Sequence, residues 1–386
     1  MNLLTINAGS SSIKYKVFSN NTAIISGLIE GIGESKSKWH HSNGAKRIAI
    51  QHFQNHEQAF NALGEKLKLE LQNLPIQGVG HRVVHGGDRY HKPTIITAEV
   101  LANIIALSKL APIHNPINAL GIEFALNQFP DALQVAIFDN GFHHTMPEYA
   151  RTYAVNAELA NKYQIRRYGF HGINHEYVAK QAAIFLNKEL TETNLISLHL
   201  GNGASACLIK NGLSIDTSMG LTPLAGLVMG TRCGDIDPAI VLYLQEQGLT
   251  PAEVDNILNK QSGLKGIADE NDMRKLISRA LANDKAAIFA IDIYVYAIQK
   301  MIGAYYSQLH PLDALIFTGG VGENASFIRE KIIAPLAHLN LRIDEKLNLK
   351  SSDELCYSIS KSGIPILVIR GDEEALMAEK LAQLCL

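Results

Sequence analysis

The chain has 386 residues, of which 47% are hydrophobic, 19% charged and 7% aromatic; this is an ordinary globular composition, and about 100–200 residues per domain predicts two domains. With 35 basic against 37 acidic residues the net charge is −2, which argues against a dedicated nucleic-acid binder, since those carry a basic excess. Its 12 prolines and 30 glycines exclude collagen-like and low-complexity chains.

In chain order, Met1 to Asn7 has neither a basic n-region nor a small-residue cleavage site, so no secretory signal is expected. Leu3–Ile6 predicts a short buried strand that stops at the turn Asn7 to Ser12. Ile13, Tyr15 and Val17 then alternate with Lys14 and Lys16, the period-two pattern of a strand over Ile13–Phe18. The two runs make a hairpin with a polar, glycine-containing tip. Residues 31–50 read as loop and edge strands, and 56–72 and 98–110 as helices; in the second, Val100, Leu101, Ile104, Ile105 and Leu110 recur at helical spacing. Further buried strands are expected at Val79–Val84, Leu133–Phe138, Leu195–Leu200, Leu312–Phe317 and Ile364–Ile369, each ended by a polar or glycine-rich turn. Helical patterns at 175–188, 237–247, 273–302 and 373–385 separate several of them, which makes the fold class α/β. The longest apolar run, Ala286 to Ile298, holds Asp292 and is shorter than the ~20 residues a membrane helix needs. It is expected to be a helix inside a large core, and no membrane partner is expected. Cys207, Cys233, Cys356 and Cys385 form no CxxC pair, so neither a zinc site nor a disulfide framework is expected, and a reducing cytoplasm is the natural location.

The segment from Leu4 to Ile13 has an echo from Leu198 to Cys207: apolar strand, glycine turn with small residues, apolar strand. This is either a duplicated α/β domain, which would put a ligand between the halves, or a chance recurrence of a common pattern.

Open α/β sheets bind ligands where polar residues gather at strand ends, and several such places stand out. Asn7, Ser10, Ser12 and Lys14 surround the first turn, where backbone N–H groups and hydroxyls suit phosphate, although a plain hairpin with a surface lysine has the same look. Arg82 lies inside an apolar strand before Gly86 and Gly87. It is either a buried ion pair or a receptor for an anion. Asp139 ends another strand, as a cap, a base or a metal ligand. His171 follows Phe170 in a loop between Gly169 and Gly172, and Arg232 lies between Gly230 and Gly234. His199-Leu-Gly-Asn-Gly203 and Gly319-Gly-Val-Gly-Glu-Asn324 provide glycine turns that let backbone approach a phosphate. With Glu373 as a further carboxylate, the set fits phosphoryl transfer, where the protein mostly positions groups and neutralises charge. It does not fit hydride transfer or acyl transfer by an activated serine, because GxGxxG and GxSxG are absent.

From end to end these residues resemble the acetate kinase (acetokinase) family. The resemblance is carried by Asn7-Ala-Gly-Ser-Ser-Ser-Ile-Lys14, His81-Arg-Val-Val-His-Gly-Gly87, Ala111-Pro-Ile-His-Asn-Pro116, Phe138-Asp139, Tyr168-Gly-Phe-His-Gly172, His199-Leu-Gly-Asn-Gly203, Met229-Gly-Thr-Arg-Cys-Gly234 and Gly320-Val-Gly-Glu-Asn324. It implies duplicated RNase H-like domains of the actin-like ATPase type, in two lobes with an active-site cleft between them. The expected lobes are 1–143, to which a C-terminal helix 375–386 returns, and a nucleotide-binding lobe 144–374.

The resemblance also implies the reaction ATP + acetate ⇌ ADP + acetyl phosphate by direct, in-line transfer. Catalytic residues would be Asp139, His171 and Arg232. Arg82 would bind acetate, with Val84, Ile113, Phe170 and Pro223 around its methyl group. Ser10, Ser12, Lys14, His199, Leu200, Gly201, Asn202, Gly203, Asp272, Met273, Arg274, Gly320, Val321, Gly322, Glu323 and Asn324 would hold the nucleotide. Mg2+, with Mn2+ as a substitute, would sit near Asn7 and Glu373, and the chain would form a homodimer. A propionate or other short-chain acyl kinase, a sugar kinase, or a non-catalytic ATP-binding switch of the same superfamily are the alternatives. Two places depart from the family pattern: Gly371-Asp372-Glu373-Glu374 stands where Thr-Asn-Glu-Glu is expected, and Ala225 where glutamate is common.

Overall fold

A computed structural model describes residues 1–72, 74–309, 311–350 and 352–385. The chain divides into two compact units, Met1–Gly141 with Asp372–Leu386, and Phe142–Gly371.

The first unit is built on an eight-stranded sheet of β1 (Asn2–Ala8), β2 (Ser12–Ser19), β3 (Thr22–Glu30), β4 (Ser37–Ser42), β5 (Lys46–Gln51), β6 (Gly78–Val83), β7 (Thr94–Ile95) and β8 (Leu133–Phe138), in the order β5-β4-β3-β2-β1-β6-β8-β7. Strands β1 to β5 form an antiparallel meander, while β6 runs parallel to β1 and β8 parallel to β6. The alternation in β2 works as the period requires: Ile13, Tyr15 and Val17 are buried with Leu4 and Ile6 against Phe60, Leu63 and Leu67 of the helix His56–Glu70. Asn55 starts that helix by accepting from the Gln58 N–H at 3.0 Å. The C-terminal helix Glu373–Ala382 packs on β1 and β6. It can lie close because β6 is glycine-rich: a Cβ on Gly78 would stand 2.8 Å from Cys385 Sγ. Leu386, the last residue of the expected helical segment 375–386, lies outside the described residues.

The second unit holds β9 (Asn194–Leu200), β10 (Ala204–Lys210), β11 (Leu213–Thr217), β12 (Ala314–Thr318), β14 (Cys356–Ser358) and β16 (Ile366–Ile369) in the order β11-β10-β9-β12-β16-β14; β13 (Leu341–Ile343) and β15 (Ser360–Gly363) pair separately. Here β9 to β11 are antiparallel, and β12 and β16 follow β9 in parallel. The first unit's run β3-β2-β1-β6-β8 thus recurs as β11-β10-β9-β12-β16. The echo between Leu4–Ile13 and Leu198–Cys207 is a repeat of topology, each copy forming the first hairpin of its unit.

Two expectations need correction. The pattern over 273–302 is two helices, Met273–Leu281 and Lys285–Tyr306. Asn283 takes a left-handed φ of 62° and stops the first; the Asp284 side chain then accepts from the Ala286 and Ala287 N–H groups and starts the second. The second helix, at 22 residues, is longer than its apolar run and among the described residues is long and apolar enough to cross a membrane by length and composition. Its Ala287, Ile291, Tyr294, Ile298 and Ile302 face is buried in the unit, while Phe289 and Tyr296 are exposed. Second, Gly320–Asn324 is not a loop but part of a short helix, Gly319–Asn324, whose first turn is tied by the Gly319 N–H donating to Glu323 Oε1 at 2.9 Å.

Candidate active site

In the first unit, Asn7 near the end of β1, Arg82 near the end of β6 and Asp139 just beyond β8 come together at the carboxyl ends of three neighbouring parallel strands. Arg82 Nη2 donates to Asp139 Oδ2 at 2.8 Å and Nη1 to Asn7 Oδ1 at 3.1 Å. Asn7 Nδ2 donates to Glu373 Oε2 (2.8 Å) and Glu374 Oε1 (3.1 Å), which project from the first turn of the C-terminal helix. Lys14, the β2 partner of Asn7, reaches Glu374 Oε2 at 2.6 Å, and Lys16 pairs with Asp372. Asp372 also accepts from the Ala375 N–H at 3.0 Å, so the departure from the family pattern provides a helix cap and a partner for Lys16. Ser10 and Ser12 belong to the turn closed by Gly9 N–H to Ser12 O at 2.8 Å; Ser10 is exposed.

Burial would lower the Arg82 pKa, but the charges of Asp139 and Glu373 outweigh it and hold the guanidinium protonated more firmly than usual. Glu373 moves up: burial raises its pKa, Asp139 and Glu374 add to this, and Arg82 opposes it. The cluster as a whole sets four carboxylates (Asp139, Asp372, Glu373, Glu374) against three cations (Lys14, Lys16, Arg82). This excess of hard oxygen donors suits Mg2+. Among the described residues no three His, Cys, Asp or Glu side chains converge as a ready-made cage; Mg2+ commonly keeps waters and substrate phosphates as further ligands. Asn7 and Glu373 therefore fit the ion.

In the second unit His171 precedes the helix Gly172–Phe185 with a left-handed φ of 57°, a conformation that costs a non-glycine residue on the order of 1 kcal/mol. Its ring stacks on His199 at 4.1 Å between centroids. Arg232 Nη1 donates to the Pro223 carbonyl at 3.0 Å and to Met229 Sδ at 3.6 Å, with no carboxylate partner among the described residues, and burial lowers its pKa. Gly203, at the end of the β9–β10 turn, faces both groups: a Cβ there would lie 3.5 Å from His171 Nε2 and 3.6 Å from Arg232 Nη1. Both side chains thus face the same bare glycine.

The expected nucleotide residues connect to this place in part. His199 and Leu200 end β9, and Gly201 N–H to Gly203 O at 2.9 Å closes the turn. Asn202 Oδ1 accepts from Asn271 Nδ2 at 3.0 Å, which ties the turn to the segment Asp272, Met273 and Arg274. Arg274 forks onto both oxygens of Asp272 at 3.0 and 2.7 Å and is otherwise exposed. Gly319, with φ +78°, lets the short helix carrying Gly320, Val321, Gly322, Glu323 and Asn324 approach β9, since a Cβ would sit 2.7 Å from Leu200 O. Of the residues expected around a methyl group, Val84 is buried and Ile113 40% exposed in the first unit, while Phe170 is buried and Pro223 half-buried in the second.

Residues 2–379 match the acetokinase family. The chain belongs to that family. An acetate kinase of Campylobacter jejuni is 45% identical over 388 residues, covering 98% of both chains, and one of Helicobacter pylori is 45% identical, covering 99% of both. Among solved structures, a propionate kinase from Francisella tularensis superposes with a TM-score of 0.92 at 42% identity, and the acetate kinase of Porphyromonas gingivalis with 0.89 at 36%, each covering 99% of both chains. As in these acetokinase-family structures, the fold is the duplicated actin-like ATPase fold.

The sequence reading missed the serines and amides behind the histidines. Asn174 Nδ2 contacts His199 Nδ1 at 2.8 Å, and Ser205 lies between His171 and His175.

Proposed function

We propose that this chain is an acetate kinase, a phosphotransferase that moves the γ-phosphoryl group of ATP directly to acetate. An acetate oxygen bonds to the γ-phosphorus, the bond to the β,γ-bridging oxygen breaks, and its electron pair leaves on ADP. With a carboxyl pKa near 4, acetate is already ionised at neutral pH, so no base has a proton to remove. The protein must instead bring two anions together and neutralise the charge that spreads over the transferring group.

The observation that carries this reading is Arg232, a partly buried guanidinium held, among the described residues, by a carbonyl and a thioether. A cation in that setting is costly unless an anion arrives. With His171 it would donate to the equatorial oxygens. Arg82 would receive the acetate carboxylate; its Nε, 3.9 Å from Glu373 Oε2, makes no hydrogen bond among the described residues. Asp139, which holds Arg82, orients that receptor. Val84, Ile113, Phe170 and Pro223 would surround the methyl group, and the β9–β10 turn, Asp272–Arg274 and Gly320–Asn324 would hold ATP, with Ser10, Ser12 and Lys14 near its phosphates. Mg2+, or Mn2+ in its place, held by Asn7 and Glu373, would supply charge neutralisation for the nucleotide phosphates. We further infer lobes close to 1–143 and 144–374, a homodimer, no nucleic-acid or membrane partner, and a cytoplasmic location; four cysteines without a disulfide support the last.

The structural likeness to a propionate kinase favours one second reading, because a methylene changes discrimination by only about 1–3 kcal/mol. Trapping acyl phosphates as hydroxamates with acetate, propionate and butyrate tests both. Acetate should give the highest kcat/KM; a higher value for propionate changes the acid, and no acyl phosphate from any acid overturns the class.

A further inference from the structure

Behind His171 lies a chain of polar groups for which no role has been assigned. His171 Nδ1 is 2.9 Å from Ser205 Oγ, Ser205 Oγ is 2.8 Å from His175 Nε2, and His175 Nδ1 is 2.9 Å from Ser197 Oγ. Ser197, Ser205 and His175 are fully buried. We propose that Ser197, His175 and Ser205 are positioning residues that hold neutral His171 with its proton on Nε2, the nitrogen that faces Gly203. The inference rests on the phosphoryl-transfer role of His171 given above.

The direction of the chain follows from counting protons. Burial, with His143 and His199 nearby, pushes the His175 pKa well down, so this ring is neutral and carries one N–H. A serine hydroxyl has one proton to give. In one direction Ser197 donates to His175 Nδ1, His175 Nε2–H donates to Ser205, and Ser205 donates to His171 Nδ1. Every proton then has an acceptor, and His171 must carry its own on Nε2. In the other direction each bond reverses. Ser197, whose protein partner among the described residues is His175 alone, would then bury an O–H pointing at nothing. Leaving a buried donor unmet is the expensive case, so the first direction prevails.

The neighbouring ring follows the same rule independently. His143 Nε2 contacts the Phe170 carbonyl at 3.0 Å, which can only accept, so Nε2 carries a proton; in the neutral ring Nδ1 then accepts from Ser214 Oγ at 2.8 Å. Serine donating to Nδ1 with the proton on Nε2 is thus already present in this sheet. For His171 the outcome is functional: its Nε2 side and Arg232 Nη1 both lie 3.5–3.6 Å from where a Cβ on Gly203 would be, so the fixed tautomer presents a donor to the same space as the guanidinium.

The test is long-range 1H–15N NMR on the full chain labelled with 15N-histidine, with the His171 signals assigned by their loss in His171→Asn. The wild-type spectrum should show Nε2 protonated and Nδ1 bare; a His171 ring with its proton on Nδ1 overturns the proposal. Ser205→Ala should mix the tautomers and lower kcat ~10–100-fold, the range for losing a partner that orients a functional histidine, with both KM values nearly unchanged. Ser205→Thr, which keeps the hydroxyl, should restore the Nε2 form. A Ser205→Ala variant with wild-type kcat and a single His171 tautomer also overturns it. Hydroxamate formation by the wild-type chain is scored separately: if acetyl phosphate forms while His171 is protonated at Nδ1, the relay fails and the kinase reading stands. If none forms, the kinase reading fails whatever the tautomer.

Discussion

Arg82 and Asp139 meet at 2.8 Å from neighbouring parallel strands, one near the end of β6 and the other one residue past β8. Strand pairing sets Val83 beside Phe138, so the two side chains are neighbours by register rather than by loop placement. The Arg82 side chain is 14% exposed and that of Asp139 not at all. Of the two sequence readings of Arg82, the buried ion pair is the one the structure shows; in the proposed function that pair would position the guanidinium for the substrate.

Arg82→Ala should therefore act twice. Removing one partner of a buried pair strands the other charge and costs about 3–5 kcal/mol, so the melting temperature should fall. The KM for acetate should rise far more than that for ATP, because in the proposed function the lost donors would serve the carboxylate. Steady-state kinetics with each substrate varied in turn checks this; equal rises in the two KM values would refute a dedicated acetate role.

His81, the residue before Arg82, makes stability depend on pH. It is buried in β6 with Nε2 against Gln134 Oε1 at 2.9 Å, and burial pushes its pKa down to about 4 from 6.5. The folded value lies below the unfolded one, so between pH 6.5 and 4 the unfolded chain binds a proton that the folded chain refuses. Stability is lost as pH falls through that window, by about 3 kcal/mol from this residue in all. Urea melts from pH 7 to 4 should show a shallower decline for His81→Gln than for wild type. Parallel declines would mean that His81 does not titrate in the unfolded chain alone.

The fold was largely legible because its strands are short apolar runs with marked turns, and Leu4–Ile13 and Leu198–Cys207 repeat closely enough to be seen. The split at Asn283 was harder to see, because the apolar spacing continues across it while one left-handed residue and the Asp284 cap break the helix. The acidic cluster was legible only in part. Glu373 stood out by resemblance, but its ties to Asn7 and the pairing of Lys16 with Asp372 span more than 350 residues of chain. Ser197 and Ser205 gave no signal at all, since a serine in a strand is unremarkable until a histidine from a helix is laid beside it.

Gly203→Ala separates site from scaffold. The new Cβ would stand 3.4–3.6 Å from His171 and Arg232, which is ordinary contact, so stability should change by less than about 1 kcal/mol. The methyl group would occupy the space where both donors converge, and kcat should fall. Gly230→Ala is the contrast: its Cβ would be 2.0 Å from Asn202 Oδ1, and it should destabilise the chain. Thermal melts alongside kcat values check the pair. A Gly203→Ala enzyme of full activity would mean that no substrate group enters that space.

Arg232 and His171 should act on the transition state rather than the ground state. Arg232 has donors to spare, since among the described residues its bonds are to the Pro223 carbonyl and Met229 sulfur, and its planar fork matches two phosphate oxygens. His171 adds one donor from a ring braced by Ser205 and by stacking on His199. If these bonds strengthen as charge spreads over the transferring group, losing either lowers kcat and leaves both KM values nearly unchanged. The loss for one charge-stabilising donor is roughly 10²–10³ in kcat. Arg232→Lys should recover little of it, because an ammonium is a point charge without the fork. Kinetics of Arg232→Ala, Arg232→Lys and His171→Ala decide the matter: variants that keep wild-type kcat and lose only ATP affinity would make both residues ordinary nucleotide ligands, and the proposed neutralisation of the transition state would have to come from elsewhere.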